Sequence, residues 1–243
     1  MSQLNEITTR LRNASAVTVL TGAGVSAASG IPTFRGAGGL WRNFSATELA
    51  TPEAFARDPV LVHRFYDARR ENLARVEPND AHRALARLDA EWPGGLLIVT
   101  QNVDDLHERA GAQRLLHMHG ELKSGWCRAC DGRMAWEGGM GGHAMCPECG
   151  VSGEVRPDIV WFGEMPYEME RIDRALMDAD LFVSIGTSGN VYPAAGFVQT
   201  AKYVGARTLE MNLEPSLGSY LFDESRIGKA GELVPAWVEE VLK

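Results

Sequence analysis

Five short apolar runs punctuate the chain: Val17–Leu20, Leu96–Thr100, Asp158–Trp161, Leu181–Ile185 and Thr208–Met211. Nearly continuous apolar runs of this length are the pattern of strands buried on both faces. Between them, apolar positions recur at helical spacing. Residues 79–92 place Ala81, Leu85 and Leu88 on one face, behind Asn79 or Asp80 as an N-cap. Residues 167–179 do the same with Met169, Ile172, Leu176 and Ala179, and 59–75, 193–204 and 232–243 also predict helices. Strands alternating with helices predict an α/β fold, with a parallel sheet covered on both faces and right-handed crossovers.

Two stretches break the alternation. Residues 36–78 hold no strand pattern and read as a loop plus helices. Residues 124–156 are rich in glycine and carry every cysteine of the chain. Both are expected to be insertions that pack together as a smaller domain. The sheet domain would then comprise 1–35, 79–123 and 157–243, with a cleft between the two, a common place for a ligand.

Composition narrows the setting. A net charge of −8 argues against a broad phosphate-backbone footprint, so no nucleic-acid partner is expected. No apolar stretch reaches the length of a membrane span, and the first residues, Met-Ser-Gln-Leu-Asn-Glu, lack the basic and apolar regions of a signal peptide. A cytoplasmic protein with no membrane partner is the expectation. The cysteines form two C-x2-C pairs, Cys127/Cys130 and Cys146/Cys149. Fifteen residues separate the pairs, the spacing of a four-thiolate zinc site in a reducing compartment. Four thiolates close the tetrahedral shell, so such a zinc would be structural.

Two further segments carry candidate chemistry. After the first strand comes Gly22-Ala-Gly24-Val-Ser26-Ala, a tight turn into a helix start that could cradle a pyrophosphate. The acid that a dehydrogenase would carry about 20 residues on is missing: Leu40-Trp41-Arg42-Asn43 stands there. Asn212 and Glu214, past the last strand candidate, could meet ribose hydroxyls instead. The second segment is the run from Leu96 to Gly120. It delivers Gln101, Asn102 and Asp104 to one strand end and His117 and His119 to another. The amides and carboxylate could orient a carboxamide, and equally could cap a helix. Alternation in an extended segment puts only one of the two histidines on a given face, without saying which.

Taken together these motifs resemble the sirtuin family of NAD-dependent protein deacylases. They are Gly22-Ala-Gly-Val-Ser26, Gly30-Ile-Pro-Thr-Phe-Arg35, Thr100-Gln-Asn-Val-Asp104, His117-Met-His119-Gly120, the cysteine quartet, Gly186-Thr-Ser188 and Asn212-Leu-Glu214, in the family's order. The resemblance implies a Rossmann-like NAD-binding domain and a small domain of a zinc ribbon and helices, with one structural Zn2+. It implies that Gly22, Ala23, Gly24 and Ser26 serve the NAD phosphates, and that Phe34, Arg35 and Trp41 lie on the cofactor side. Gln101, Asn102 and Asp104 would line the nicotinamide pocket. Gly186, Thr187 and Ser188 would meet phosphate and ribose, Asn212, Leu213 and Glu214 the adenosine ribose, and Ala230 the adenine. His119 matches the catalytic base. Val160, Trp161, Phe162 and Gly163 match the segment that pairs with an acyl-lysine peptide by strand addition. The implied reaction gives nicotinamide, O-acyl-ADP-ribose and free lysine. Ala28 and Asp105 depart from what many members carry, away from the implied chemistry.

Tyr66 and Arg69, three apart on a predicted helix, share a face and resemble the Tyr-x-x-Arg pair of the class that prefers acidic acyl groups. A guanidinium fork holds a carboxylate with two parallel hydrogen bonds, and a phenol adds a third donor. Succinyl- or malonyl-lysine is therefore expected, with acetyl-lysine open. Arg69 could alternatively pair with Asp67 or Glu71. The competing functions are a deacetylase without acidic preference, a protein ADP-ribosyltransferase on the same site, and a zinc-ribbon nucleic-acid binder.

Overall fold

A computed structural model describes residues 15–33 and 46–243. The strands are β1 (Ala16–Thr21), β2 (Gly95–Thr100), β3 (Leu115–His117), β4 (Gly120–Cys127), β5 (Arg133–Ala135), β6 (Val155–Ile159), β7 (Leu181–Ile185), β8 (Arg207–Asn212) and β9 (Glu224–Ile227). The helices are α1 (Ala23–Ser26), α2 (Ala46–Leu49), α3 (Pro52–Arg57), α4 (Pro59–Leu73), α5 (Asp80–Glu91), α6 (Leu106–Arg109), α7 (Met169–Met177), α8 (Phe197–Tyr203) and α9 (Ala230–Leu242). The expected Rossmann-like α/β architecture is present. A six-stranded sheet runs β3-β2-β1-β7-β8-β9, all neighbours parallel.

Helices cover both faces because the central strands are apolar on both. On one face, Val19, Ile98, Val183 and Leu209 pack with Leu85 and Leu88 of α5 and with Val234, Trp237 and Val238 of α9. On the other, Leu20, Val99 and Phe182 meet Ile172 and Leu176 of α7 and Phe197 and Val198 of α8. Of the two N-cap candidates for α5, Asn79 takes the position. Its side chain accepts from the Ala81 amide at 3.0 Å, and its own amide donates to His82 Nδ1 at 3.2 Å.

The order places the chain's reversal at β1. It leaves β1 toward β2 and β3, then returns on the opposite side as β7. The C-terminal ends of β1 and β7 therefore flank a crevice, the place where open α/β sheets take ligands.

One expectation needs correction, and two strands lie outside the apolar pattern. The strand read as Asp158–Trp161 is Val155–Ile159, and it pairs antiparallel with β4 in a separate sheet, β5-β4-β6. Pro157 explains the choice: it cannot donate to a ladder, and β6 is an edge strand where that is tolerated. β4 has the alternating burial of a two-sided strand, with Leu122 buried between exposed Glu121 and Lys123, rather than an apolar run. β9 went unread because its residues, Glu-Ser-Arg-Ile, carry no apolar pattern on an edge. Above the second sheet, α3 and α4 pack Phe55, Val62 and Tyr66 against Val103, Leu122, Ile159 and Trp161.

Candidate active site

A cleft of about 1130 Å3 opens at the crevice and extends to the second sheet. Its first wall is the glycine turn. A Cβ on Gly24 would stand 2.7 Å from Gly186 Cα, and one on Gly22 2.8 Å from the Gly186 carbonyl oxygen. Gly186 itself has φ +64°, and a Cβ there would meet the Val25 nitrogen at 2.6 Å. The two loops after β1 and β7 close on each other only without side chains, tied by Gly24 N–H donating to Gly186 O at 2.9 Å. Gly22, Ala23, Gly24, Gly186, Thr187 and Ser188 all line the cleft.

Gln101, Asn102 and His119 line its floor, whereas Ser26 and Asp104 stand behind it. Ser26 is fully buried and donates to Asp104 Oδ2 at 3.0 Å. The Asn102 side-chain nitrogen donates to Ser26 Oγ at 3.0 Å and to the Gly22 carbonyl at 3.1 Å. Burial pushes the Asp104 carboxyl above its ordinary range, against the hydrogen bond from Ser26. Asp104 and Ser26 thus fix Asn102 to the glycine turn and do not reach into the cleft.

The two histidines separate cleanly. His117 is held on both nitrogens, with Nδ1 3.0 Å from the Asn102 carbonyl and Nε2 2.6 Å from Glu108. Burial opposes its protonation, but the Glu108 and Glu121 carboxylates outweigh it and raise its pKa. His119 lines the cleft, with Nδ1 3.2 Å from the Gln101 carbonyl. A carbonyl can only accept, so Nδ1 carries the proton and Nε2 keeps its lone pair. Burial, the larger influence, lowers the His119 pKa, against the hydrogen bond to Gln101. The ring is thereby kept neutral and able to take a proton.

At the far end Asn212, Leu213, Glu214 and Ala230 line the cleft. The Asn212 amide is engaged within the protein: Nδ2 donates to the Thr187 carbonyl at 2.6 Å, and Oδ1 accepts from the Leu213 amide at 3.0 Å. It braces the loop after β7. Lys229, beside Ala230, also faces this end and was not singled out in the sequence, where one lysine before a helix carries no signal. Phe34, Arg35 and Trp41 lie outside the described residues.

On the opposite side the cleft is walled by Tyr66, Arg69, Val160, Trp161, Phe162 and Gly163. The Trp161 indole N–H donates to Tyr66 Oη at 2.9 Å, which leaves the phenol's own proton for another acceptor. Burial lowers the Arg69 pKa, while Tyr66 and Asp104 raise it. Asp67, one alternative partner for Arg69, bonds Arg70 at 2.9 Å and the backbone amides of Met140 and Gly141 instead.

The cysteines converge. Their four sulfurs lie within 4.8 Å of one another, with Cys127–Cys149 and Cys130–Cys146 at 3.8 Å. Tetrahedral zinc with bonds of about 2.3 Å spaces its sulfurs by about 3.8 Å, so the quartet fits one zinc ion with no open position. It contributes nothing to the cleft lining.

A parallel sheet with a glycine crevice, joined to a four-thiolate ribbon across a cleft holding one neutral histidine, defines a dinucleotide-binding α/β protein whose zinc is structural. The chain belongs to the Sir2 family, whose model matches residues 22–193. It is 54% identical to the NAD-dependent protein deacylase SIR2rp3 of Leishmania major, over 93% of this chain and 96% of that one. It is 53% identical to an NAD-dependent protein deacylase of Caulobacter vibrioides, over 96% and 99% of the two chains. A solved complex of a Sir2 homologue with NAD superposes with a TM-score of 0.91 at 38% identity, covering 100% of this chain and 96% of that one. A complex of Sir2 with a p53 peptide and NAD+ gives 0.84 at 26% identity, covering 98% of each. The cofactors are NAD, as co-substrate, and one structural zinc.

Proposed function

We propose that this cleft removes acyl groups from protein lysines at the expense of NAD, with His119 as base and Tyr66 and Arg69 selecting acidic acyl chains. NAD would supply an electrophilic ribose carbon to the acyl oxygen as nicotinamide departs, and a water would complete the release of the lysine. The glycine turn and the 186–188 loop offer backbone donors to the phosphates, and Asn102, fixed by Ser26, presents its amide to the nicotinamide side. Asn212, Leu213, Glu214 and Ala230 take the adenosine end. His119 receives a proton at Nε2 from the ribose hydroxyl that attacks the acyl carbon, and the Gln101 carbonyl steadies the imidazolium through Nδ1. The peptide pairs with Val160–Gly163, and its acyl chain runs past Trp161 toward Tyr66 and Arg69. The segment 36–78 and ribbon 124–156 act as the smaller of two domains, and the paired cysteine motifs suit a cytoplasmic setting.

One observation carries the reading: a single cleft holds His119 with its Nδ1 on the Gln101 carbonyl, a dinucleotide crevice and, on its far wall, both members of the Tyr-x-x-Arg pair, Tyr66 and Arg69. The test is incubation with NAD and matched succinyl-lysine and acetyl-lysine peptides. Free lysine and O-acyl-ADP-ribose are expected from the wild type and not from His119→Ala. Arg69→Met is expected to lower turnover of the succinyl peptide far more than of the acetyl peptide, and equal losses would refute the acidic preference. Label from NAD retained on protein would identify an ADP-ribosyltransferase instead.

A further inference from the structure

Arg156 is a buried guanidinium engaged on all three nitrogens, and no part of the chemistry above uses it. It is 3% exposed. Its Nη1 and Nη2 hold the two oxygens of Glu164 at 2.6 and 2.9 Å. Nη2 also donates to the Ile159 carbonyl at 2.7 Å, and Nε to the Pro157 carbonyl at 3.3 Å. Its carbon Cζ lies 3.3 Å from the centroid of the Trp161 ring. One buried cation therefore touches the start, the middle and the end of the segment that walls the peptide side of the cleft.

Glu164 completes the device. Its Oε2 accepts from the Trp161 amide at 2.8 Å, while its own amide donates to the Trp161 carbonyl at 3.0 Å. The amides of Val160 and Phe162 are tied to the carbonyls of His119 and Ala50, each at 2.9 Å. The segment thus has its shape imposed by partners on three sides, and the carboxylate standing in for a strand neighbour at Trp161 is itself held by Arg156. Through Trp161 the chain of contacts continues to Tyr66 Oη.

We propose that Arg156 and Glu164 are positioning residues for the acyl-lysine peptide. Arg156 stands behind the cleft and Glu164 lines it beside the peptide-pairing segment, and they act by holding Trp161 and the peptide-pairing backbone in register with His119. This rests on the deacylase reading of the cleft. A buried guanidinium with a half-buried bidentate partner is costly to leave unpaired and adds little net stability as a pair, so its place beside the peptide wall calls for a role other than stability.

The test uses the zinc-loaded full chain, with separate KM values for a succinyl-lysine peptide and for NAD. Glu164→Gln is the first variant, and the charge-neutral double variant Arg156→Met/Glu164→Gln is the second. Both are expected to raise the peptide KM about tenfold, the loss of one or two backbone hydrogen bonds to the peptide, with the KM for NAD within about twofold of wild type. The double variant should melt above the single variant Arg156→Met, in which Glu164 is left without its partner, and yet keep its raised peptide KM. A merely structural pair would instead let KM follow the melting temperature. An unchanged peptide KM, or equal rises for peptide and NAD, overturns the inference alone. A wild type that releases no free lysine overturns the deacylase reading, and this inference with it.

Discussion

His82 makes the stability of this protein depend on pH in a way that can be worked from its surroundings. The ring is fully buried beneath the cleft. Its Nδ1 accepts from the Asn79 amide at 3.2 Å, so Nε2 carries the proton and faces Ser26 Oγ at 3.3 Å. A second proton on Nδ1 would confront the Asn79 N–H with another donor. Burial is the main cause, and the Arg83 charge a lesser one, of a pKa lowered from 6.5 to about 4. In the unfolded chain the ring titrates near 6.5, so below that value the unfolded state binds a proton that the native state refuses. Stability therefore rises with pH across this window and is lost as pH falls from about 6.5 toward 4. A shift of this size amounts to about 3 kcal/mol once both states are protonated, and about 2 kcal/mol of it is lost between pH 7.5 and 5. The assay is urea unfolding of the zinc-loaded protein at the two pH values, for wild type and for His82→Gln. The difference between the two pH values should shrink by about 2 kcal/mol in the variant. An identical pH dependence in the two proteins would refute the assignment of a neutral, buried His82.

Zinc removal by a strong chelator, or Cys130→Ala, should unfold the β5-β4-β6 sheet and abolish turnover although no cysteine lines the cleft; a zinc-free chain with wild-type turnover would contradict the structural role. Gly24→Ala would set a methyl group 2.7 Å from Gly186 Cα, so NAD affinity should fall at least about tenfold and the melting temperature should drop, read by calorimetry with and without NAD. In its proposed role as base His119 must be neutral, and burial lowers its pKa below 6.5, so the acid limb of kcat/KM against pH should have its midpoint below 6.5. An acid limb centred above 7 would assign that limb to another group.

Most of the sheet domain was legible because its strands are buried on both faces and therefore apolar throughout: β7 was read to the residue. The small sheet was less legible for the same reason inverted. β4 is half exposed and alternates, and β6 carries Arg156, Pro157 and Asp158, all buried, with Arg156 satisfied by Ile159 and Glu164 and Asp158 by Ser124 and Tyr167. A periodicity argument cannot distinguish a buried, paired arginine from an exposed one. The site shows the same limit. Gln101, Asn102 and Asp104 were legible as a group and Ser26 as part of the glycine turn, but not the division of labour among them. Asn102 faces the cleft, while Asp104 and Ser26 hold it from behind.

The histidine pair shows what three dimensions add to alternation. β3 ends at His117 on the edge of the parallel sheet, and β4 begins at Gly120 in the antiparallel one. His119 occupies the handover between them. Its backbone carbonyl accepts from the Val160 amide at the end of β6, and its ring bonds the Gln101 carbonyl at the end of β2. His119 is therefore the point at which the glycine-crevice side and the Val160–Gly163 side of the cleft are physically joined. Gly120 has φ +79°, and a Cβ there would lie 2.0 Å from the Asp158 carbonyl oxygen, so the chain can turn from one sheet to the other only with glycine at that position. The His-Met-His-Gly sequence is thus one structural unit. Its first histidine pairs with Glu108 at the sheet edge, its methionine enters the core, its second histidine enters the cleft, and its glycine permits the crossing.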